Sequence, residues 1–344
     1  MRQRRRQRLR DEVVTLAHGS GGKATRALVE EVFVAEFANP LLAPLNDSAL
    51  LELDGLRVAF TTDSYVVKPI FFPGGDIGEL AINGTINDLA VTGARPVALS
   101  AGFVIEEGFA VADLRRIAAS MAGAAAAASV PIATGDTKVV ERGNADGLYV
   151  TTAGVGVIPP GIDLGYARVR AGDRVLVSGT IGDHGMAVMV ARGDLQIEVD
   201  LESDTAPVHE LVQSLLLLGD AVRWLRDPTR GGLATALNEL AQAAGVAVVL
   251  DEGSLPLRAE VVGTCEILGI DPLYVACEGR VVAVVAPEAC DQALAALRRH
   301  PLGADAAIVG EIRPDPEGFV LLDTTFGGNR IVDMLVGDPL PRIC

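Results

Sequence analysis

The chain has 344 residues, with 29 Lys or Arg against 45 Asp or Glu, a formal charge of −16 and a pI near 4.7. A hydrophobic share of 49% excludes a largely disordered protein, and the length predicts two domains at about 150 residues each. So acidic a chain disfavours nucleic acid as a partner, because phosphate backbones bind basic surfaces.

The two ends of the chain are unusual. Six arginines crowd the first ten positions, which predicts a disordered extension over residues 1–14 more than a membrane or nucleic-acid contact. Asp11 and Glu12 stand where a secretion signal would need apolar residues. The last residue, Cys344, ends a tail of sequence DPLPRIC that is unsuited to a helix. Taken by itself, a terminal cysteine is interpreted as an accidental feature of a frayed chain end.

Composition also limits the cellular setting and the metal chemistry. No apolar run of about 18 residues predicts a membrane span. The four cysteines form no CxxC pair, so zinc and redox-dithiol sites are not expected, and the reducing cytoplasm is the predicted location. The chain has only three lysines, Lys23, Lys68 and Lys138, and each marks a place to look.

Helix and strand patterns alternate along the whole chain. In order, they predict a helix from Lys23 through Phe37, strands over 49–53 and 57–61, a helix over 78–92, a strand over 97–105, a helix over 111–128 and strands over 131–133 and 147–158. After a boundary at Pro159-Pro160-Gly161 they predict a strand over 174–178, helices over 183–192 and 207–218, a helix from Gly231, a strand over 246–250, a helix over 258–268, a strand over 280–285, a helix over 287–299 and strands near 308 and 320. We therefore expect two mixed α/β domains, over 15–160 and 161–330, and a tail over 331–344.

The stretch HGSGGK, residues 18–23, is glycine-rich and precedes a predicted helix. Glycines let backbone N–H groups approach a phosphate, and a helix N-terminus favours the negative charge. Its spacing is not that of a P-loop, since Ala17 and Ala24 stand where that motif needs Gly and Ser or Thr. Phosphate binding and a flexible turn both remain open interpretations.

Five aspartates lie at predicted element ends or beside Gly, Asn or Thr: Asp47, Asp63, Asp88, Asp136 and Asp227. Taken singly, each is typical of a helix cap or a turn. Taken together beside a glycine-rich loop, they favour a Mg²⁺–nucleotide site, because converging carboxylates repel unless a hard cation lies between them.

Two further residues are candidates for the chemistry. Lys138 follows Asp136 by two positions, so on a strand both side chains share a face, and the lysine can stabilise charge on a transferring phosphoryl group. Glu278, in ACEGR, is a candidate base, and the alternative is a surface carboxylate at a strand end.

The motifs together resemble the HypE family, the carbamoyl dehydratases of NiFe-hydrogenase maturation. The resemblance runs in order from about residue 15 to residue 344 through HGSGGK, NDSAL, FTTDSYVVKPIFFPGGDIGELA, NGTINDLAVTGARP, SAGFVIEEGF, TGDTKVV, DPTRGGLA, ACEGR and PRIC. The wider superfamily is that of the aminoimidazole-ribotide synthetase-like ATP enzymes. The resemblance implies their two-domain fold, an N-terminal α/β domain that dimerises through its sheet and a C-terminal α/β domain.

The resemblance also implies a reaction. Cys344 would receive a carbamoyl group from HypF, ATP would activate the amide oxygen, and dehydration would give a thiocyanate whose cyano group passes to iron on HypC–HypD. Cys344, Lys138 and Glu278 would be catalytic. Nucleotide and Mg²⁺ would be held by Gly19, Ser20, Gly21, Gly22, Lys23, Asp47, Asp63, Asn87, Asp88, Gly135, Asp136 and Asp227. The tail would be mobile, since no apolar run anchors it.

Two rival functions use the same motifs differently. A kinase or synthetase of the superfamily, similar to selenophosphate synthetase or thiamine-monophosphate kinase, would act on a free small molecule and have no use for Cys344. A non-catalytic assembly scaffold would use the tail only for docking, with no dependence on nucleotide.

Overall fold

The computed structural model describes residues 9, 11–193, 199–335, 337 and 342–344. The arginines of the predicted N-terminal extension lie outside these residues, as do residues 338–341 of the tail.

The first half of the chain alternates strands with two long helices. Its described elements are α1 (Lys23–Leu28), continued by a π-helical segment (Val29–Val34) into α2 (Ala35–Phe37), then β1 (Ala49–Leu53), β2 (Leu56–Tyr65), β3 (Phe71–Phe72), β4 (Gly75–Asp76), α3 (Ile77–Val91), β5 (Arg95–Glu106), α4 (Val111–Ala127), β6 (Ile132–Val140) and β7 (Leu148–Ile158).

These elements build a sheet in the order β1-β2-β7-β5-β6, in which only β5 and β6 are parallel neighbours. Helices α3 and α4 cover one face and bury a core that includes Leu80, Ile117 and Leu148. The other face exposes apolar side chains, with Phe60 44% and Val155 38% exposed. Since side chains alternate along a strand, the residues of this sheet divide between a covered and an uncovered face.

The second half of the chain has the same mixture of elements. They are β8 (Arg174–Val177), α5 (Asp183–Ala191), α6 (His209–Leu216), β9 (Val222–Arg226), α7 (Gly232–Ala244), β10 (Ala247–Asp251), α8 (Ala259–Leu268), β11 (Val282–Val285), α9 (Cys290–Arg299), β12 (Ala307–Arg313), β13 (Val320–Asp323) and β14 (Asn329–Val332).

Their sheet has the order β14-β13-β10-β12-β8-β11-β9, with β10 and β13 parallel. Helix α7 packs on one face through Leu233 and Leu237. Helices α6 and α9 pack on the other face through Leu215 and Leu297. The two sheets with their helices confirm the predicted two-domain α/β fold.

Helix α3 lies between the halves. It contacts β2 and β7 of its own sheet and α6 and β9 of the second half. Its sequence explains this position, because the helix is apolar around most of its circumference and nearly every residue is buried. The helix that carries the NDLA motif therefore brings Asp88 to the boundary between the domains.

Most predicted elements agree with the structure in type and in approximate position. Two strands are longer than expected: β2 continues to Tyr65, so that Asp63 lies inside it, and β6 continues to Val140. The β3–β4 hairpin, β9 and β14 were not predicted. Strand β9 was not predicted because it carries two arginines. In the structure Arg226 pairs with Asp47, and Arg223 lies 3.9 Å from Asp173.

Among the residues that the structure describes, none of the helices combines the length and the apolar character that a membrane span requires.

Candidate active site

Three of the predicted carboxylates meet at the boundary between the two domains. Asp47 precedes β1, Asp88 lies in the last turn of α3, and Asp227 directly follows β9. Each contributes one carboxylate oxygen to a set in which all three lie within 4.8 Å of one another. The Thr61 hydroxyl on β2 lies 2.7 Å from an Asp88 carboxylate oxygen and 2.7 Å from the Asp47 carbonyl oxygen. The fold thus assembles one oxygen-lined cluster from residues far apart in the sequence.

Burial raises the pKa of each of these carboxyl groups, and it is the largest cause in all three. The pKa of Asp47 rises to about 6, against the opposing charge of Arg226. The pKa of Asp227 rises to about 8, with Asp47 as the second cause, and that of Asp88 rises well above its usual range. Arg226 Nε lies 3.0 Å from an Asp47 oxygen, but the same guanidinium also contacts Glu239 at 3.1 Å. One shared guanidinium does not offset the effect of burial, so the pKa values of all three groups stay raised.

The carboxylate cluster fits a divalent cation. Its donors are oxygens, the hard ligands that Mg²⁺ prefers. A bound cation would favour the charged forms that burial now disfavours. A cation shared by Asp47, Asp88 and Asp227 therefore agrees with the donor set and with its electrostatics.

Cys344 belongs to a second group of residues, which adjoins the carboxylate cluster. Burial, followed by the negative charge of the neighbouring Glu278 carboxylate, raises the pKa of the Cys344 thiol to about 12. Glu278 is only 2% exposed, and its pKa is raised well above the usual range by burial first and by Asp227 second. Because Asp227 belongs to the carboxylate cluster and also acts on Glu278, the terminal thiol lies beside the candidate metal site.

Asp63 lies within electrostatic reach of both groups. Its charge raises the pKa of Asp88 in one group and that of Cys344 in the other. The Tyr65 hydroxyl donates a hydrogen bond to Asp63 Oδ2 at 3.1 Å. Arg230 supplies the opposing charge, since it lowers the pKa values of both Glu278 and Cys344. Asp63 therefore lies next to the carboxylate cluster but is not one of its three members.

The glycine-rich loop forms part of the cavity that contains Cys344. This cavity has a volume of about 250 Å³, and Gly19, Ser20 and Arg230 line it together with the terminal residue. Gly21 has φ +80°, and a Cβ there would come within 2.8 Å of the Arg230 carbonyl oxygen. Glycine is thus needed both for the backbone conformation and for the close approach.

The same loop contacts the base of the tail. A Cβ on Gly22 would lie 2.3 Å from the Leu335 carbonyl oxygen, which accepts a hydrogen bond from the Lys23 N–H at 3.1 Å. The predicted phosphate-facing lysine, Lys23, places its ammonium 2.5 Å from an Asp333 oxygen. The loop therefore joins the cavity to the segment from which the tail departs.

The third predicted group, on β6, is not part of this site within one chain. Neighbouring strands align Asp63 with Gly135 through Thr152 and Ala101. At about 4.8 Å per strand these two residues are about 14 Å apart. Strand alternation then turns Asp136 to the uncovered face. The expectation of five converging carboxylates is wrong for a single chain.

Lys138 lies on the uncovered face with Asp136. The predicted sharing of a face is confirmed, since Lys138 Nζ lies 3.0 Å from Asp136 Oδ2 and the two side chains are 70% and 71% exposed. Within one chain, the pair faces away from Asp88 and Cys344.

Asn87 makes contacts other than those expected of a nucleotide ligand. Its side chain is 1% exposed. Its amide nitrogen donates to the carbonyl oxygens of Ala206 and Glu278, each at 3.0 Å, and its oxygen accepts from the Val208 N–H at 2.8 Å. Asn87 therefore joins α3 to the second domain, and its role in nucleotide binding stays a prediction.

Comparison with known proteins places this site in a family. Residues 45–158 match the family described as AIR synthase related protein, N-terminal domain, and residues 170–323 match the corresponding C-terminal domain. A Rhodobacter capsulatus protein named carbamoyl dehydratase HypE is 58% identical over 339 residues, covering 98% of this chain and 99% of that one. The chain belongs to the HypE family of carbamoyl dehydratases.

Solved structures of HypE proteins agree with this fold. The crystal structure of a hydrogenase maturation protein HypE in complex with ATP matches with a TM-score of 0.81 at 44% identity, covering 96% of this chain and 100% of that one. A chain in the crystal structure of a HypE–HypF complex matches with a TM-score of 0.86 at 47% identity, covering 90% and 100%. These matches confirm the resemblance stated from the sequence and favour the dehydratase over a small-molecule kinase.

Sequence reasoning missed residues around the HypE-type tail. No apolar run was expected to anchor the tail, but a single residue near its end does so, because Ile343 is 4% exposed and packs into the core of the first domain. Lys68 and His184, which had no assigned role, both contact the tail backbone. The Lys68 contact is made by its backbone N–H, which no residue type reveals. The rarity of histidine, with four in the chain, was an available signal for His184.

Tyr65 and Arg230 were also missed. Both lie inside segments that carried the resemblance, FTTDSY and DPTRGG. Arg230 opposes the negative charges around Cys344, and Tyr65 donates a hydrogen bond to Asp63.

Proposed function

We propose that this chain uses ATP to convert a carbamoyl group, carried on the sulfur of its own Cys344, into a nitrile, which leaves a thiocyanate. One observation carries the proposal: the terminal thiol lies near Glu278, beside a partly buried cluster of three carboxylates. A related HypE has been crystallised with ATP, which supports the nucleotide as the co-substrate.

The proposed reaction balances without any other reagent. The carbamoyl oxygen attacks the γ-phosphoryl group of ATP, ADP leaves, and one N–H proton is lost. The C–O bond then breaks, phosphate carries the oxygen away, and the nitrogen loses its second proton as the C≡N bond forms. Phosphorylation is needed because an amide oxygen is a poor leaving group.

The carboxylates would bind Mg²⁺ and the phosphates. Asp47, Asp88 and Asp227 would hold the ion, with Asp63 beside them, and a bound Mg²⁺ would offset the charge of the triphosphate. The loop from Gly19 to Lys23 would close over the nucleotide and exclude water from the phosphorylated intermediate.

Glu278 is the candidate base. It lies near the sulfur that would bear the carbamoyl group, and burial, by raising its pKa, makes its carboxylate a stronger base. Arg230, the cation that opposes Glu278 and Cys344, would stabilise negative charge on the transferring phosphoryl group.

Lys138 and Asp136 would act in the site of a second copy of the chain. They share the uncovered sheet face with exposed apolar residues such as Phe60 and Val155. A homodimer formed through this face would bury that surface, as soluble proteins rarely leave large apolar patches exposed. It would also let the Lys138 ammonium reach the phosphates bound by the partner.

We also propose the partners on either side of the reaction. A HypF protein would deliver the carbamoyl group, in line with the HypE–HypF complex of a relative. A HypC–HypD complex would accept the cyano group for iron.

Mass spectrometry of the C-terminal peptide tests the proposal. After incubation with HypF, carbamoyl phosphate and ATP, we expect Cys344 first to gain a carbamoyl group and then to lose one water. Without ATP the carbamoyl form should accumulate, and Cys344→Ala should carry neither modification. ATP turnover on a free small molecule that survives Cys344→Ala would contradict the proposal and favour the kinase-like rival.

A further inference from the structure

The last three residues of the chain lie in a site formed by side chains and backbone from several other segments. The Arg342 carbonyl oxygen accepts hydrogen bonds from the Lys68 N–H at 3.1 Å and from Arg192 Nη2 at 2.8 Å. The Arg342 guanidinium pairs with Asp146. We call Lys68, Asp146, His184 and Arg192 the tail socket. Its members come from separate parts of the chain and converge on one short peptide.

His184 makes the contact closest to the reactive residue. Its Nε2 lies 3.0 Å from the Ile343 carbonyl oxygen, and that carbonyl belongs to the peptide group that joins Ile343 to Cys344. The imidazole is fully buried at 0% exposure, with Phe72 packed edge-on at 5.5 Å. A buried imidazole is thus hydrogen-bonded to a backbone carbonyl next to Cys344.

The hydrogen bonds around His184 determine its tautomer. Ser203 Oγ accepts the Thr205 N–H at 3.1 Å and lies 2.7 Å from His184 Nδ1. The Ile343 carbonyl oxygen can only accept, so Nε2 must carry the proton, and the Ser203 hydroxyl donates to Nδ1. Burial lowers the pKa of His184 to about 4, so the ring is neutral at pH 7 and carries one N–H. That proton is on Nε2 and is donated to Ile343.

The position of the sulfur depends on this peptide group. Ile343 packs its side chain into the first-domain core, and His184 fixes the orientation of its carbonyl. With both held, the Cα of Cys344 has little freedom, which keeps the thiol in the neighbourhood of Glu278. A misplacement of about 1 Å at a reacting centre costs much of the rate.

We propose that His184 is a positioning residue: its Nε2–H holds the Ile343 carbonyl and thereby sets the Cys344 sulfur against Glu278, within a socket that binds the Arg-Ile-Cys ending as a peptide ligand. The docking part of this inference stands on the contacts alone. Its consequence for dehydration rests on the proposed function.

Alkylation of Cys344 by iodoacetamide tests docking without any catalysis. In the full-length protein Cys265, Cys277 and Cys290 are buried, so modification of the C-terminal peptide reports on the tail. We expect His184→Ala to raise the rate of Cys344 alkylation about five- to tenfold, the effect of losing one buried hydrogen bond. His184→Gln, which keeps an N–H donor, should lie closer to wild type. His209→Gln, a half-buried histidine on α6, is the matched control and should have no effect.

The same variants can then be followed through dehydration. In a single turnover of carbamoylated protein at saturating ATP, His184→Ala should slow the loss of water about as much as it exposes the thiol. The half-saturating ATP concentration should be unchanged, which separates positioning from nucleotide binding. If the wild-type protein never dehydrates its carbamoyl group, the proposed function fails, while the alkylation result still decides the docking.

Ile343→Ala covers the case in which His184→Ala does not fold, because it shortens only a side chain in the tail. It should also raise alkylation of Cys344. Wild-type alkylation rates in both His184→Ala and Ile343→Ala would overturn the inference, as would faster alkylation with no change in dehydration rate.

Discussion

At the scale of single residues, burial determines the pKa values of the carboxylate cluster. Asp47, Asp88 and Asp227 each have a raised pKa, and loss of water is the main cause for all three. In the folded protein these groups therefore hold protons at a pH where the unfolded chain has released them. A cation that binds the charged forms must compete with those protons, so metal binding and pH are linked at this site.

This linkage predicts how stability depends on pH. Between the ordinary pKa of 3.8 and about 8, the value for Asp227, the folded state binds more protons than the unfolded state, so without a cation the cluster lowers the free energy of unfolding as the pH rises. Added Mg²⁺ should therefore raise the melting temperature more at pH 8 than at pH 6. Thermal unfolding at both pH values, with and without Mg²⁺, measures this difference.

Asp227→Asn should remove much of the pH dependence of the Mg²⁺ effect. Asp291→Asn, at an exposed carboxylate on α9, should leave it intact. Equal stabilisation by Mg²⁺ at pH 6 and pH 8 in the wild type would contradict a metal site at these residues.

At the scale of elements, β6 separates the predicted site residues. The strand is exposed along nearly its whole length and lies at the edge of the first sheet. Asp136 and Lys138 point to its uncovered face, so a role in phosphoryl transfer requires another copy of the chain.

Mixing two inactive variants tests this arrangement. If Lys138 acts in the partner's site, a dimer of one Asp88→Asn chain and one Lys138→Ala chain contains one site with both changes and one intact site. Full exchange in an equal mixture then gives about a quarter of the wild-type ATP-dependent dehydration, because half of the dimers are mixed and each has one working site. Each variant alone should be nearly inactive.

Two controls make the mixing result decisive. Phe60→Glu, which places a charge on the uncovered face, should abolish recovery and leave monomers in sedimentation. No recovery from dimers that are shown to have exchanged would mean that Lys138 does not act across the interface.

At the scale of the whole molecule, α3 joins the two domains. Asn87 satisfies three buried backbone groups of the second domain, at Ala206, Val208 and Glu278. The bond to the Glu278 carbonyl couples this joint directly to the candidate base, and Asp88, the next residue, belongs to the carboxylate cluster.

Asn87→Ala should therefore weaken the fold as well as the activity. The loss of three buried hydrogen bonds predicts a free energy of unfolding lower by about 2–3 kcal/mol, measured by urea denaturation. Asn144→Ala, at an exposed loop position, should change it little. Lost activity at unchanged stability would instead support the original expectation that Asn87 binds nucleotide.

The sequence predicted most of the fold because local patterns were strong. Helix α3 and strand β1 were predicted within one residue of their observed limits. Strand β9 was missed because Arg223 and Arg226 break its apolar pattern, and their charges are met by carboxylates brought close by folding. Residue types alone do not reveal which distant partner will balance a buried charge.

The sequence by itself determined the fold class, the family and the types of residue that carry the chemistry: acidic groups for a metal, a glycine-rich loop and a terminal thiol. Only the tertiary structure decided which of them meet. It brought Asp47, Asp88 and Asp227 together, turned Asp136 and Lys138 to the opposite face of the sheet, and docked Ile343 beneath His184. The physical reason is that the spacing of residues along the chain determines which side chains share a face of a strand or helix. Which other element packs against that face depends on how sheets and helices pack across hundreds of residues.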